Sequence, residues 1–245
     1  LCVGIGNFAN EASSLYVQQP GDPWQFADMA ALHGIGSPSR LRLSFGFLFL
    51  DTDLDGRLDA VQANGHLEDE INEIQPSQRY RQPAQLFWNA GPDARRRFVV
   101  LPDERVGDLA RPIVGRAAAA ADVDGDGDED VLLTQPGGPP LLLANEQATG
   151  HRWLRIRLDT TGTAIAPGAI GAEVVLETAG GGMQRRVVGP TRSYLAQSTP
   201  VASFGLGTAL EPERIRVRWP DGRETVHPVP SVDRVLVLRP DEPAG

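Results

Sequence analysis

One nine-residue pattern occurs twice in this chain and limits what it can fold into. The copies are Asp51-Thr52-Asp53-Leu54-Asp55-Gly56-Arg57-Leu58-Asp59 and Asp122-Val123-Asp124-Gly125-Asp126-Gly127-Asp128-Glu129-Asp130, both D-x-D-x-D-G-x-x-D. Carboxylates at alternate positions of a tight loop converge on one point, and glycine at the sixth position permits the sharp turn. Converging hard oxygens suit Ca²⁺, which takes about six to eight of them at about 2.3–2.6 Å. Without a cation, neighbouring carboxylates repel by roughly 1 kcal/mol per pair at ~4 Å even in water. Two Ca²⁺ sites are therefore expected. Asp51, Asp53, Asp55 and Asp59 supply side-chain oxygens to the first, and Asp122, Asp124, Asp126 and Asp130 to the second. Arg57 and Asp128, at the seventh positions, are expected to give backbone carbonyls.

An EF-hand would place a bidentate Glu at the twelfth position, between two helices. The twelfth positions here are Gln62 and Leu133. Phe45-Gly46-Phe47-Leu48-Phe49-Leu50 precedes the first loop, and Val131-Leu132-Leu133-Thr134 follows Asp130 of the second. Short apolar runs beside turn residues predict strand–loop–strand.

The 245 residues suffice for one large or two ordinary domains, and 27 Gly with 20 Pro favour turns over long helices. Ten of the 32 acidic residues lie in the two loops, so much of the net charge of −9 is local. With no basic face in evidence, nucleic acid is not an expected partner. No run approaches ~18 apolar residues, so no membrane-spanning helix is expected. The single Cys2 excludes an intrachain disulfide and a cysteine-based zinc site.

In chain order, strands are expected near 3–8, 15–18 and 24–27. The sequence Asn7-Phe8-Ala9-Asn10-Glu11 stands where a third acidic loop would fall, and one carboxylate there predicts no high-affinity site. Residues 41–110 read as a full unit: strands near 45–50, 58–63, 86–89 and 97–100, with a long polar loop at 64–85 that carries a short helix within 67–74. Residues 111–149 repeat the plan. The two loops start 71 residues apart (122 − 51), a period that fits propeller blades with one insertion. Asn145 to Gly150 has linker composition. Beyond it, Trp153–Leu158 and Arg214–Trp219 alternate, the latter with arginines outward. About seven strands and the Pro220-Asp221-Gly222-Arg223 turn predict a small β-sandwich. The expected division is 1–149 and 150–245. The fold class expected is all-β, with two calcium-loop blades and one degenerate blade followed by the sandwich.

Together these residues resemble a known family. The first half resembles FG-GAP (VCBS-type) propeller repeats. The second resembles an ASPIC/UnbV domain at Ala169-Ile170-Gly171-Ala172-Glu173-Val174, Ser193-Tyr194-Leu195-Ala196-Gln197-Ser198, Phe204-Gly205-Leu206-Gly207 and Val217-Arg218-Trp219-Pro220-Asp221-Gly222-Arg223. The order of the two is that of CRTAC-like proteins. The resemblance implies a secreted, periplasmic or cell-surface protein with a propeller of more blades than this chain holds, so the chain is expected to be the C-terminal part of a longer protein. It implies a non-catalytic, calcium-stabilised binding or adhesion module with a protein or glycan partner. The alternative is a cyclase or hydrolase using a pocket between the halves, lined by His66, Tyr80 and carboxylates free of calcium. Tyr194 is expected in the core.

Overall fold

The computed structural model describes residues 1–240; the last five residues of the expected second domain lie outside the described residues. The chain is all-β, and its first half is built from consecutive antiparallel sheets. Strands β1 (Cys2–Ile5), β2 (Ser14–Gln18) and β3 (Phe26–Asp28) form the first sheet, followed by the one-turn helices α1 (Ala30–His33) and α2 (Gly36–Ser39). Strands β4 (Ser44–Leu50) and β5 (Asp59–Asn64) flank the first acidic loop. After the helical turn α3 (Ile71–Ile74), β6 (Gln85–Asn89) and β7 (Phe98–Val100) complete a four-stranded meander. Strands β8 (Ala118–Ala121), β9 (Asp130–Leu133) and β10 (Leu141–Leu143) form the third sheet around the second loop.

The run Phe45–Leu50 is apolar throughout because the middle sheet is covered on both faces. Side chains of a strand alternate between faces. Phe47, Ala60 and Phe87 pack with Leu15, Ile35 and Phe98 on one side. Leu48, Leu50, Val61 and Ala63 pack with Ala118, Ala120, Val131 and Leu133 on the other. Ala118–Ala121 are small where the third sheet crowds the second: a Cβ on Gly46 would lie 2.9 Å from the Ala118 nitrogen.

Seven strands make up the second half among the described residues. They are β11 (Arg152–Leu158), β12 (Glu173–Thr178), β13 (Met183–Val187), β14 (Val201–Gly207), β15 (Pro212–Arg218), β16 (Glu224–Pro228) and β17 (Arg234–Leu238). They form two sheets, ordered β14-β11-β17 and β13-β12-β15-β16, with β11 and β17 parallel. Leu154, Ile156, Leu176, Phe204, Ile215 and Trp219 are fully buried between them. The outward arginines of β15 lie across from Glu173 and Glu177 of β12 and pair with them, ion pairs on the solvent face that add little to stability. The expected turn closes as Gly222 N–H donates to the Trp219 carbonyl at 2.9 Å.

One side chain lies where strand alternation gives no sign of it, and one expectation is corrected. Arg155 is buried, because β11 is the central strand of its sheet and its non-core face lies against the first half. Tyr194 is 44 % exposed and rests against Phe45, ring centroids 5.3 Å apart, outside the core.

Candidate metal centres at the two acidic loops

Each loop is a hairpin connection whose backbone is turned by its own carboxylates. In the first, Asp51 Oδ1 accepts the Asp55 N–H at 3.0 Å and Oδ2 accepts the Gly56 N–H at 2.8 Å. Asp55 Oδ1 accepts the Arg57 N–H at 2.8 Å, and its other oxygen pairs with the Arg57 guanidinium. Asp53 Oδ2 accepts the Trp88 indole N–H at 2.9 Å, while Asp53 Oδ1 is buried with no hydrogen-bond partner. In the second loop, Asp122 Oδ1 accepts the Gly125 N–H at 2.7 Å and Asp126 Oδ1 the Asp128 N–H at 3.1 Å. Gly56 and Gly127, at the sixth positions, have φ of 92° and 106°, a region that suits glycine.

Oxygens of Asp51, Asp53 and Asp55 lie within 4.8 Å of one another, and so do those of Asp122, Asp124 and Asp126. Asp59 and Asp130 stand apart from these triads. Asp59 Oδ1 accepts the Asn89 N–H at 2.7 Å and Oδ2 the Thr52 N–H at 3.0 Å. Asp130 repeats this with Asn145 and Val123, both at 2.8 Å. The ninth aspartate thus ties the loop to the end of the third strand of its own sheet. Arg57, expected for its carbonyl, also donates through Nε to the Asn89 carbonyl at 2.9 Å. Asp128, expected for its carbonyl too, buries its carboxylate, with the Gln147 side chain as its one neutral neighbour in hydrogen-bonding range.

Burial with like charges nearby makes these acids hard to ionise without a cation. Burial pushes Asp51 up to about 7, partly offset by the Arg186 guanidinium. Asp59 rises to about 6 by burial, offset by hydrogen bonds from Thr52 and Asn89. Asp128 rises to about 7 by burial and by the charges of Asp126 and Asp130. Hard carboxylate oxygens brought together, one of them orphaned, fit a divalent ion of the Ca²⁺ class.

The second half covers both loops. The Gly207 N–H donates to the Leu54 carbonyl at 2.8 Å, and His151 Nδ1 lies 2.6 Å from the Asp53 carbonyl oxygen. Gly205 packs on the first loop so closely that a Cβ there would run into Asp51 Oδ2 and the Leu54 backbone. The Trp153 indole lies on Gly127, where a Cβ would overlap the ring. Asn145 Nδ2 donates to the Thr52 carbonyl at 2.8 Å and so links the two loops. The sequence signals for these partners are faint. Leu86-Phe87-Trp88-Asn89 and Leu142-Leu143-Ala144-Asn145 end in the same Asn after each acidic loop, but no local pattern marks Trp153 or Gly205.

His66 belongs to the packing. Its Nδ1 accepts the Glu68 N–H at 3.0 Å, its ring meets Phe8 edge-on at 5.7 Å, and burial lowers its pKa. A groove of about 1190 Å³ beside the first loop is lined by Asp53, Trp88, Val100, Leu142 and Asn145, among others, with neither His66 nor Tyr80 on its wall.

Residues 114–154 match the FG-GAP repeat and residues 162–244 match ASPIC and UnbV. Cartilage acidic protein 1 of Xenopus tropicalis is 28% identical over 247 residues, covering 90% of this chain and 37% of that protein. Cartilage acidic protein 1 of Mus musculus is 34% identical over 127 residues, covering 51% of this chain and 19% of its own length, with the same figures for the Homo sapiens protein. The chain is CRTAC-like. Its FG-GAP match falls on the unit that holds the second loop, and the first loop repeats that unit's pattern upstream. The CRTAC-like chain spans about a third of the Xenopus relative's length. Among the described residues, no helix is long and apolar enough to cross a membrane.

Proposed function

We propose that the chain is a calcium-binding, non-catalytic module of the adhesion type, working outside the cytoplasm, with one Ca²⁺ at each acidic loop. The ions hold the hairpin turns, and the exposed faces of the sheets serve a protein or glycan partner. Asp51, Asp53 and Asp55 hold the first ion and Asp122, Asp124 and Asp126 the second, with Asp59 and Asp130 fixing the loops from behind. The observation that carries this reading is Asp53 Oδ1, a buried carboxylate oxygen without a donor, set among oxygens of Asp51 and Asp55. The triad carboxylates also turn the loop backbone through the N–H groups of Asp55, Gly56 and Arg57, which favours a structural role for the ion. The placement outside the cytoplasm rests on the CRTAC-like relatives.

Thermal unfolding with and without a chelator tests the reading. Chelation is expected to lower the melting temperature by several degrees, and Asp53→Ala to remove one site while leaving the other. An unchanged melting curve in chelator, in a protein that binds no Ca²⁺ by calorimetry, would overturn it.

A further inference from the structure

The two loops are built on one pattern, yet the second half meets them differently. At the first loop, Asp51 is held by two backbone N–H groups of its own loop, the loop's own Arg57 pairs with Asp55, and Arg186 of the second half acts on Asp51 only as a neighbouring charge. At the second loop, Arg155 of β11 donates directly to Asp122 Oδ2, and both side chains are buried, 7 % and 3 % exposed. A cation already sits on the first carboxylate of that loop. Arg192 adds a second contact there, reaching Glu129 at 2.9 Å and the Phe49 carbonyl at 2.7 Å. The backbone contact is the Thr199 N–H on the Ala120 carbonyl at 3.2 Å, just ahead of the loop.

We propose that Arg155 is a tethered competitor for the cation at the second loop, so that filling this loop loosens the seat of the sandwich. The inference rests on calcium binding at the loops. A divalent ion held by the Asp122 carboxylate would share it with the Arg155 guanidinium at reduced dielectric, where like charges interact strongly. The opposing benefit is the ordering of one side chain, a small effect. Repulsion wins, and linkage makes it reciprocal: whatever Arg155 takes from cation affinity, the cation takes from the Arg155 contact. Of the two loops, the second is then the one whose filling is coupled to the seat of the sandwich.

The Trp153 indole lies on Gly127 of the second loop, so Tb³⁺ emission excited through tryptophan reports that loop once Asp53→Ala has removed the first site. In that background, Arg155→Gln is expected to tighten Tb³⁺ binding at the second loop at least ~10-fold, while Arg155→Lys, which keeps the charge, stays within ~2-fold of the parent. In the unmodified chain, saturating Ca²⁺ is expected to speed hydrogen exchange at the Thr199 amide and to leave the Gly207 amide protected. Two weakened variants, or a Thr199 amide that gains protection with Ca²⁺, would overturn the competition while calcium binding stands. Absence of any Tb³⁺ or Ca²⁺ binding would overturn the calcium reading as well.

Discussion

Asp59 Oδ1 accepts the backbone N–H of Asn89 at 2.7 Å, and the same bond recurs between Asp130 and Asn145 at 2.8 Å. The ninth residue of each acidic loop is thus the joint between a loop and the strand two places along its sheet. This explains why the ninth position is Asp in both copies, although it lies outside the clustered triads. Asp59→Ala would leave two N–H groups without a charged acceptor, and hydrogen bonds to charged groups are worth about 1.5–3 kcal/mol each. The variant is expected to lose about 3–5 kcal/mol in chemical denaturation and Asp59→Asn roughly half of that; a loss below about 1 kcal/mol for Asp59→Ala would contradict the brace.

The metal-free protein has a pH dependence of definite sign. Asp51 is held near about 7 and Asp59 near about 6 in the fold, whereas an unfolded aspartate titrates near about 3.9. The folded state therefore keeps these protons to higher pH than the unfolded state does. Their contribution to stability is complete below about pH 4 and is lost as pH rises toward about 7. Metal-stripped protein is expected to melt at progressively lower temperature across that window, and excess Ca²⁺ to flatten the decline. A metal-free melting temperature that rises over the same range would contradict the placement of these acids.

Gly127 and Gly125 separate backbone strain from packing. Both have positive φ, 106° and 84°, but only Gly127 faces a neighbour, the Trp153 indole. Gly125→Ala is expected to cost about 1–2 kcal/mol, the penalty of a left-handed residue. Gly127→Ala should cost clearly more and should raise hydrogen exchange along β11. Equal losses in chemical denaturation would mean that Trp153 has no firm seat on the loop.

The double-sided burial of the middle sheet predicts a sharp contrast between two aromatic residues. Phe87→Ala empties a fully buried position and is expected to cost about 3–5 kcal/mol. Trp24, 89 % exposed, should change stability by no more than about 0.5 kcal/mol when replaced by Ala. Thermal or denaturant unfolding of the two variants checks both values.

Much of the architecture was legible because it depends on short-range patterns. The D-x-D-x-D-G spacing marked both hairpin loops, and the alternation of Arg214–Trp219 marked a half-buried strand with its inner face. The apolar run at 45–50 marked a strand, though not which sheets cover its two faces. What stayed hidden depends on contacts distant in sequence. Arg155 lies in an alternating strand and gives no local sign of burial; only the docking of β11 beside the second loop turns it inward. Asp59 and Asp130 look the same as the other loop aspartates in sequence, and their separate role appears only when Asn89 and Asn145 are brought behind them. Asn145 read as part of a linker, yet its backbone and side chain tie the two loops together. Tyr194 read as a core residue, but its segment runs along the surface beside Phe45.

The account stands on divalent ions at the two acidic loops, and the most direct measurement is a crystal structure grown in millimolar Ca²⁺ with anomalous data. The predicted result is an anomalous peak in each loop, about 2.3–2.6 Å from oxygens of Asp51, Asp53 and Asp55 in one and of Asp122, Asp124 and Asp126 in the other. Carboxylates turned outward, with no anomalous peak in either loop, would contradict it.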